Sequence, residues 1–351
     1  MFHIGIDLHK RFSQVTVVNK QGHIKEQRKL YHDDREALKA YFGSFDHHAQ
    51  ATMEATRNWS WFYDLLEEVG LDAKLAHPLK TRAIAEARIK TDKLDSATLA
   101  HLDRANLIAQ AYVPPAPIRQ ERELLRYRQS LVRTRSAIKN KIHALLDRRG
   151  IFPPPFTDLF GGAGLVFLKE LKLPDIQRQN LDGYLILLKQ LNQLIKEASR
   201  RIRRSIKELP QAKLLMTIPG VSYLTAHLLL AEIGDINRFP SHQKLCSYAG
   251  LVPSTHQSGQ RCYHGRITKQ GNKYIRWALV ESAQVAIRHD AHLRRWYLRL
   301  SRKRGKTKAI VACARKLLVA IYHMLKEQEP YKANSLTRSY LGKPATCSGH
   351  K

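Results

Sequence analysis

The stretch Val113-Pro114-Pro115-Ala116-Pro117 divides the chain into two parts that no single packing scheme serves. Proline fixes φ and offers no amide donor, so neither a helix nor a strand runs through three of them. Before this break, short β-patterned runs alternate with short amphipathic helical ones. After it, apolar residues recur at helical spacing. The charge changes at the same place. Residues 1–116 hold 16 Lys/Arg and 15 Asp/Glu, whereas residues 117–351 hold 44 and 15. The formal net charge of +30 over 351 residues points to a polyanionic partner, because neutralising phosphates releases condensed counterions. A near-neutral module joined to segments that grip nucleic acid accounts for the split.

In the first part, "FHIGIDLHK" is a β-rich run, and "SQVTVVNKQGHIKEQRKLY" reads as a hairpin turning at Gln21-Gly22. "DDREALKAYFGSF" opens on aspartates suited to capping a helix. "AQATMEA" is a strand, "NWSWFYDLLEEVG" a helix closed by Gly70, and "LDAKLAH" a strand stopped by Pro78. Three strands, helix, strand, helix, strand, helix is the order of the RNase H-like α/β fold.

Beyond the break, Leu124, Leu131, Ile138 and Leu145 recur every seven residues, the seam of a long coiled-coil-like helix. A second long helix carries Leu181, Tyr184, Leu188, Leu191, Ile195, Ala198 and Ile202. The two can pair with each other or with another subunit. "LLMTIPGVSYLTAHLLLAEIGDINRF" reads as helix, Pro-Gly turn, helix, an arrangement like the helix-hairpin-helix element whose backbone amides hold a phosphate. A β-like loop, a Gly-Asn turn and another helix follow. The domains expected are therefore 1–113, 114–210 and 211–328, with a disordered tail at 329–351.

The four cysteines are widely spaced without a CxxC pair, which argues against zinc and for reduced thiols in a cytoplasmic protein. No signal-peptide pattern and no apolar run of about 18 residues is present, so no membrane partner is expected.

The segment "RIKTDKLDSATLAHL" places Asp92 and Asp95 three residues apart, on one face of a helix. Alone they are polar residues of a solvated face beside Lys90 and Lys93. Asp7 and Glu54 change that reading, since each sits among apolar residues of a strand, where an unpaired charge is costly. In an RNase H-like sheet these two strands are neighbours, and the following helix brings Asp92 and Asp95 to the same end. Four carboxylates would then hold one or two Mg²⁺ for phosphodiester chemistry.

The fragments "GIDLHK", "MEATRNW", "AHPLKTRAIAEARIKTDKLDS" and "TIPGV…LLAEIGDINRFPS…LCSYAGLVPSTHQSGQRCYHGRITKQGNKYIRWAL" resemble, in order, the DEDD transposases of bacterial insertion sequences. The resemblance spans about residues 3 to 325. It implies a RuvC-like N-terminal domain whose D-E-D-D set is Asp7, Glu54, Asp92 and Asp95, with Mg²⁺, or Mn²⁺, as cofactor. It also implies a nucleophilic serine in a Ser-Gly dipeptide, which matches Ser258, whereas Ser254 is not followed by glycine. Partners so implied are donor and target DNA, a guide (bridge) RNA, and further copies of the chain, a dimer assembling to a tetramer. The basic residues Arg261, Arg266, Lys269, Lys273 and Arg276 would contact nucleic acid.

Three other readings compete, one of them a non-catalytic RNA-binding protein, which the charge alone would permit. A junction-resolving Mg²⁺-dependent endonuclease would use the carboxylates and leave Ser258 idle. A sugar kinase also opens on "GIDLHK"-like strands, but needs a second such domain and Gly-rich nucleotide loops, which the basic helical half lacks.

Overall fold

The computed structural model describes residues 1–45, 48–85, 91–206, 209–258 and 261–333, and resolves into two compact units, Met1–Pro114 and Pro115–Lys351. The tail expected to be disordered falls, from residue 334 onward, outside the described residues, as do Lys90 and Cys347.

The first unit runs β1 (Phe2–Leu8), β2 (Phe12–Val18), β3 (Ile24–Tyr31), α1 (Arg35–Gly43), β4 (Ala49–Glu54), α2 (Trp59–Glu68), β5 (Asp72–Ala76), α3 (Pro78–Ile84) and α4 (Asp92–Arg104). Its five-stranded sheet has the order β3-β2-β1-β4-β5. The β1–β2 and β2–β3 pairs are antiparallel, and β4 lies parallel to both β1 and β5. The mixed α/β character expected of this part is present.

Alternation along β1 explains both faces of the sheet. Ile4, Ile6 and Leu8 point into a core with Leu38 and Phe42 of α1 and Phe62 and Leu66 of α2. His3, Gly5 and Asp7 take the other face, where α4 crosses. His3 Nδ1 meets the buried carboxylate of Asp103 at 2.6 Å, and Lys74 reaches the other Asp103 oxygen at 2.9 Å. In the middle, Gly5 lets the α4 backbone lie directly on the strand. A Cβ there would stand 1.9 Å from the Ser96 carbonyl oxygen and 2.5 Å from the Ala100 nitrogen. Thr16 and Ser96 hydroxyls hydrogen-bond at 2.8 Å, tying β2 to the same helix. Small residues thus fix the helix along the strand, and Asp7 faces the helix start.

The second unit is mostly helical. It comprises α5 (Ala116–Asp147), α6 (Gly162–Glu170), α7 (Asp175–Ile206), α8 (Pro210–Leu215), α9 (Tyr223–Ile233), α10 (His242–Tyr248), a hairpin of β6 (Pro253–Ser258) and β7 (Arg261–Ile267), α11 (Lys273–His289), α12 (Ala291–Arg304) and α13 (Lys306–Glu327). The two long helices pair with each other, antiparallel. Arg128 Nε donates to Ser199 Oγ at 2.8 Å and Arg135 Nη1 to Asn192 Oδ1 at 3.2 Å. Ile138, Ile142 and Leu145 of α5 pack with Leu181 and Leu188 of α7 and Leu168 of α6. Below them, Leu317, Leu318 and Ile321 of α13 share one core with Leu215, Leu229, Leu245 and Leu279.

The Ile218-Pro219-Gly220-Val221 turn links α8 to α9. Gly220 has φ +87°, and a Cβ there would meet the Ser282 carbonyl oxygen and Val285 Cβ, each at 2.7 Å. The turn is therefore packed onto α11 and requires glycine for both conformation and space. Cys246 and Cys313 are buried free thiols, and burial pushes Cys313 up to about 12. Among the described residues no helix is long and apolar enough to cross a membrane.

Candidate active site

Asp7 is the penultimate residue of β1, and the register aligning Ile6 with Met53 puts it level with Glu54, the last residue of the parallel β4. Asp92 and Asp95 occupy the first turn of α4. Thr91 caps that turn by accepting from the Leu94 amide, and the positive helix end offsets the repulsion between the two carboxylates. Asp92 is exposed and Asp95 half-buried. Their alignment with Asp7 follows from the seating of α4 on Gly5.

The surroundings of Asp7 act on its proton. Burial raises the Asp7 carboxyl above the usual carboxylate range, His9 opposes this, and Asp92 and Asp95 raise it further. Asp7 therefore lies within the field of both helix carboxylates. His9 Nε2 sits 3.0 Å from Asp7 Oδ2 and 3.4 Å from Asp92 Oδ1. Asp7, His9 and Asp92 each offer a ligand atom, all within 4.8 Å of one another. Oxygen donors of like charge, gathered where one of them already resists ionisation, suit a hard divalent cation, and the imidazole nitrogen is a further donor.

His9 is the residue that the sequence reading passed over. It lies two positions beyond Asp7, the period that returns to the same face of a strand, and this is the signal that could have found it. Its ring stacks on Phe12 with centroids 4.6 Å apart. Asn58 Nδ2 donates to the His9 carbonyl at 2.8 Å, and Thr56 donates to Asn58 Oδ1 at 3.2 Å. The polar part of "MEATRNW" thus holds the loop after β1. Beside His9 an open depression of about 940 Å³ is lined by Lys10, Arg11, Phe12, Lys29 and Tyr31. Lys29 Nζ lies 3.7 Å from the Phe12 ring centroid. His32 and Asp33 complete the lining, and His9, which also lines it, joins this largely basic and aromatic surface to Asp7 and Asp92.

In the second unit, Ser258 ends β6 and pairs in register with Arg261 of β7, so it lies at the turn end of the hairpin. The side chains of Ser258 and Arg261 lie outside the described residues. Ser254 is placed differently: a Cβ on Gly265 would come within 2.4 Å of its hydroxyl, so Ser254 lies against the neighbouring strand. Arg266, Lys269 and Lys273 are exposed. Arg276 is engaged by the chain itself, donating to the Ala249 carbonyl at 2.9 Å.

A family model for DEDD transposases of the IS110 type matches residues 4–153, the span holding all four carboxylates. A second, described as the transposase IS116/IS110/IS902 family, matches residues 212–298, the span holding Ser258. The chain belongs to the IS110-type family of DEDD transposases. Curated relatives agree along most of the length of this transposase. The transposase for insertion sequence element IS1111A of Coxiella burnetii is 26% identical over 352 residues, covering 95% of this chain and 92% of that protein. A probable family 20 transposase of Pseudomonas aeruginosa is 25% identical over 342 residues, 94% of this chain and 98% of that protein. A shorter likeness, 37% over 126 residues, joins 34% of this chain to 38% of a pilin gene-inverting protein of Moraxella bovis.

Proposed function

We propose that this insertion-sequence transposase is an RNA-guided DNA recombinase that cuts and exchanges DNA strands through Mg²⁺-binding carboxylates and a serine nucleophile. The observation that carries this reading is the meeting of Asp7, His9 and Asp92 at the end of the sheet, where α4 also brings Asp95. The strand order β3-β2-β1-β4-β5 supports a RuvC-like fold for the first unit.

Asp7 and Asp92 would hold the divalent ion, with Glu54 and Asp95 completing the D-E-D-D set. A bound Mg²⁺ supplies charge neutralisation at the phosphate and stabilises the leaving oxygen. His9, held by Asn58 and Phe12, positions the Asp7 and Asp92 oxygens. Lys10, Arg11 and Lys29 bind the DNA backbone beside them. Ser258 forms the new bond: its Oγ attaches to phosphorus, the bond from phosphorus to the departing DNA oxygen breaks, and the serine proton ends on that oxygen. The products are a phosphoserine link and a DNA hydroxyl end, ready for the reverse exchange on a second strand. One relative is named for inverting a pilin gene, and inverting a gene requires its strands to be cut and rejoined.

Guide RNA, donor DNA and target DNA all find cations in the second unit, through Arg261, Arg266, Lys269 and Lys273, with Arg276 shaping the turn that presents them. Assembly as a dimer and then a tetramer is supported by the apolar Ile176, Ile186 and Leu187, which stand exposed on α7.

Ser258→Ala tests this reading against the junction-resolving nuclease. With element-end DNA and the guide RNA, the variant is expected to form no covalent protein–DNA adduct on a denaturing gel and no strand-exchange product, while still binding DNA. An adduct of wild-type yield would remove Ser258 from the chemistry.

A further inference from the structure

The reaction leaves one cleft of the second unit without a role. Between α5 and the start of α11 lies a cavity of about 490 Å³. Arg128, Gln129 and Trp277 join it to a smaller one of about 210 Å³ that reaches Ser222 at the start of α9. Trp277 is 47% exposed in the shared wall, although a large indole is ordinarily covered.

The charge of the lining is one-sided. Arg128, Arg133 and Lys273 line the larger cavity, and among the described residues no carboxylate lines either one. Arg128 is half-buried, and its guanidinium donates to the Ser199 hydroxyl rather than to an acid. Burial, the largest influence, lowers its pKa; Tyr223 acts to raise it and Arg135 to lower it. A cation partly withdrawn from water without a counter-anion is costly, and an anion entering the cleft would relieve it. Gln129, on the wall of both cavities, keeps a buried side-chain oxygen without a hydrogen-bond partner.

We propose that this cleft seats an unpaired nucleotide of the guide RNA, its base stacked on Trp277 and its phosphates on Arg128, Arg133 and Lys273. The inference rests on the nucleic-acid reading of this unit and adds a place and a mode of binding to it. An aromatic face among cations without acids is the chemistry of a single-strand platform, because every base has a π-face and every nucleotide a phosphate. A duplex keeps its base faces stacked inside and offers none to Trp277. Between the two kinds of single strand, RNA is favoured. Asn140 lines the cavity with an exposed amide suited to base edges, and the Ser136 hydroxyl, which donates to the Val132 carbonyl at 3.0 Å, keeps lone pairs that can accept from a 2′-hydroxyl.

The test uses the full-length protein and fluorescence anisotropy with an unstructured RNA of about 12 nucleotides, the DNA strand of the same sequence, and the DNA duplex. Trp277→Ala is expected to weaken RNA binding about tenfold, with duplex binding unchanged and Trp277→Phe recovering most of the loss. The salt dependence of RNA binding should persist in Trp277→Ala. It should fall by about 0.7 per removed cation in the Arg128→Gln/Arg133→Gln double variant. Unchanged RNA affinity in Trp277→Ala overturns the proposal, as does a loss confined to the DNA strand. An equal loss on all three probes with altered sedimentation also overturns it, since the face would then join copies of the chain. A wild-type protein that binds no nucleic acid removes the underlying reading as well, whereas failure of the Trp277 variants alone removes only the cleft.

Discussion

Replacing Gly5 with alanine is expected to cut DNA strand cleavage about a hundredfold while lowering the stability of the first unit by about 1–3 kcal/mol. The added Cβ would stand 1.9 Å from the Ser96 carbonyl oxygen and 2.5 Å from the Ala100 nitrogen. Both are backbone atoms of α4, so no side chain can swing aside. The helix must move off the sheet, and Asp92 and Asp95 move with it. The Thr16–Ser96 hydrogen bond and the His3–Asp103 contact, which hold α4 on either side of Gly5, would resist that movement and strain the strand. Single-turnover cleavage and chemical denaturation measure the two effects. Wild-type cleavage in a folded Gly5→Ala protein would show that the position of α4 does not matter to the chemistry.

Glu232→Ala is expected to cost about 3 kcal/mol of stability, the lower end of the range for breaking a buried ion pair. The Glu232 side chain is fully buried. Arg126 grips it through both oxygens at 2.8 Å, and Asn272 Nδ2 donates to Oε2 at 2.7 Å. Arg122 donates to the Ala231 and Glu232 carbonyls, at 2.7 and 2.9 Å, and its Nε also lies 3.6 Å from Glu232 Oε2. Arg126 is partly exposed and recovers some hydration on losing its partner, and the nearly buried Arg122 keeps its two carbonyl acceptors, which together set the lower end. Glu232→Gln keeps the shape and an acceptor and should lose less. The effect reaches function through Asn272, which caps α11 by accepting from Tyr274 and Ile275 amides. The start of that helix carries Lys273 and, one turn on, Trp277. Denaturant midpoints followed by circular dichroism give the measurement; an Ala variant as stable as the wild type would refute a structural role for the cluster.

The first unit was legible where local rules decide. Alternation wrote the strands, Asp34 capped α1 by accepting from the Ala37 amide, and Pro78 opened α3 as it stopped β5. Carboxylates in apolar strands marked Asp7 and Glu54 because burial makes an unpaired charge expensive. The approach of Asp92 to Asp7 was legible only through the sheet order, since they lie 85 positions apart in the chain. His9 was missed because its closeness to Asp92 depends on how α4 crosses β1, and Gly5, which decides that crossing, has no side chain to draw notice. The pairing of α5 with α7 was left open for another reason: a seven-residue seam looks the same whether the partner helix is in the same chain or another. Glu232 and Trp277 are single residues in helical periodicity, and only the packing of α5, α9 and α11 distinguishes one as a buried anchor and the other as an uncovered ring.

In the proposed mechanism Asp7 and Asp92 hold a divalent ion on which DNA cleavage depends. Titration of Mn²⁺ into the metal-free full-length protein, followed by electron paramagnetic resonance, tests it most directly, with cleavage measured on the same samples. The wild type should bind the ion. Asp7→Asn and Asp92→Asn should each weaken binding by more than the roughly 10–100-fold that loss of a mere outer partner costs, and should abolish cleavage while DNA binding persists. Wild-type ion binding and cleavage in either variant would contradict the account.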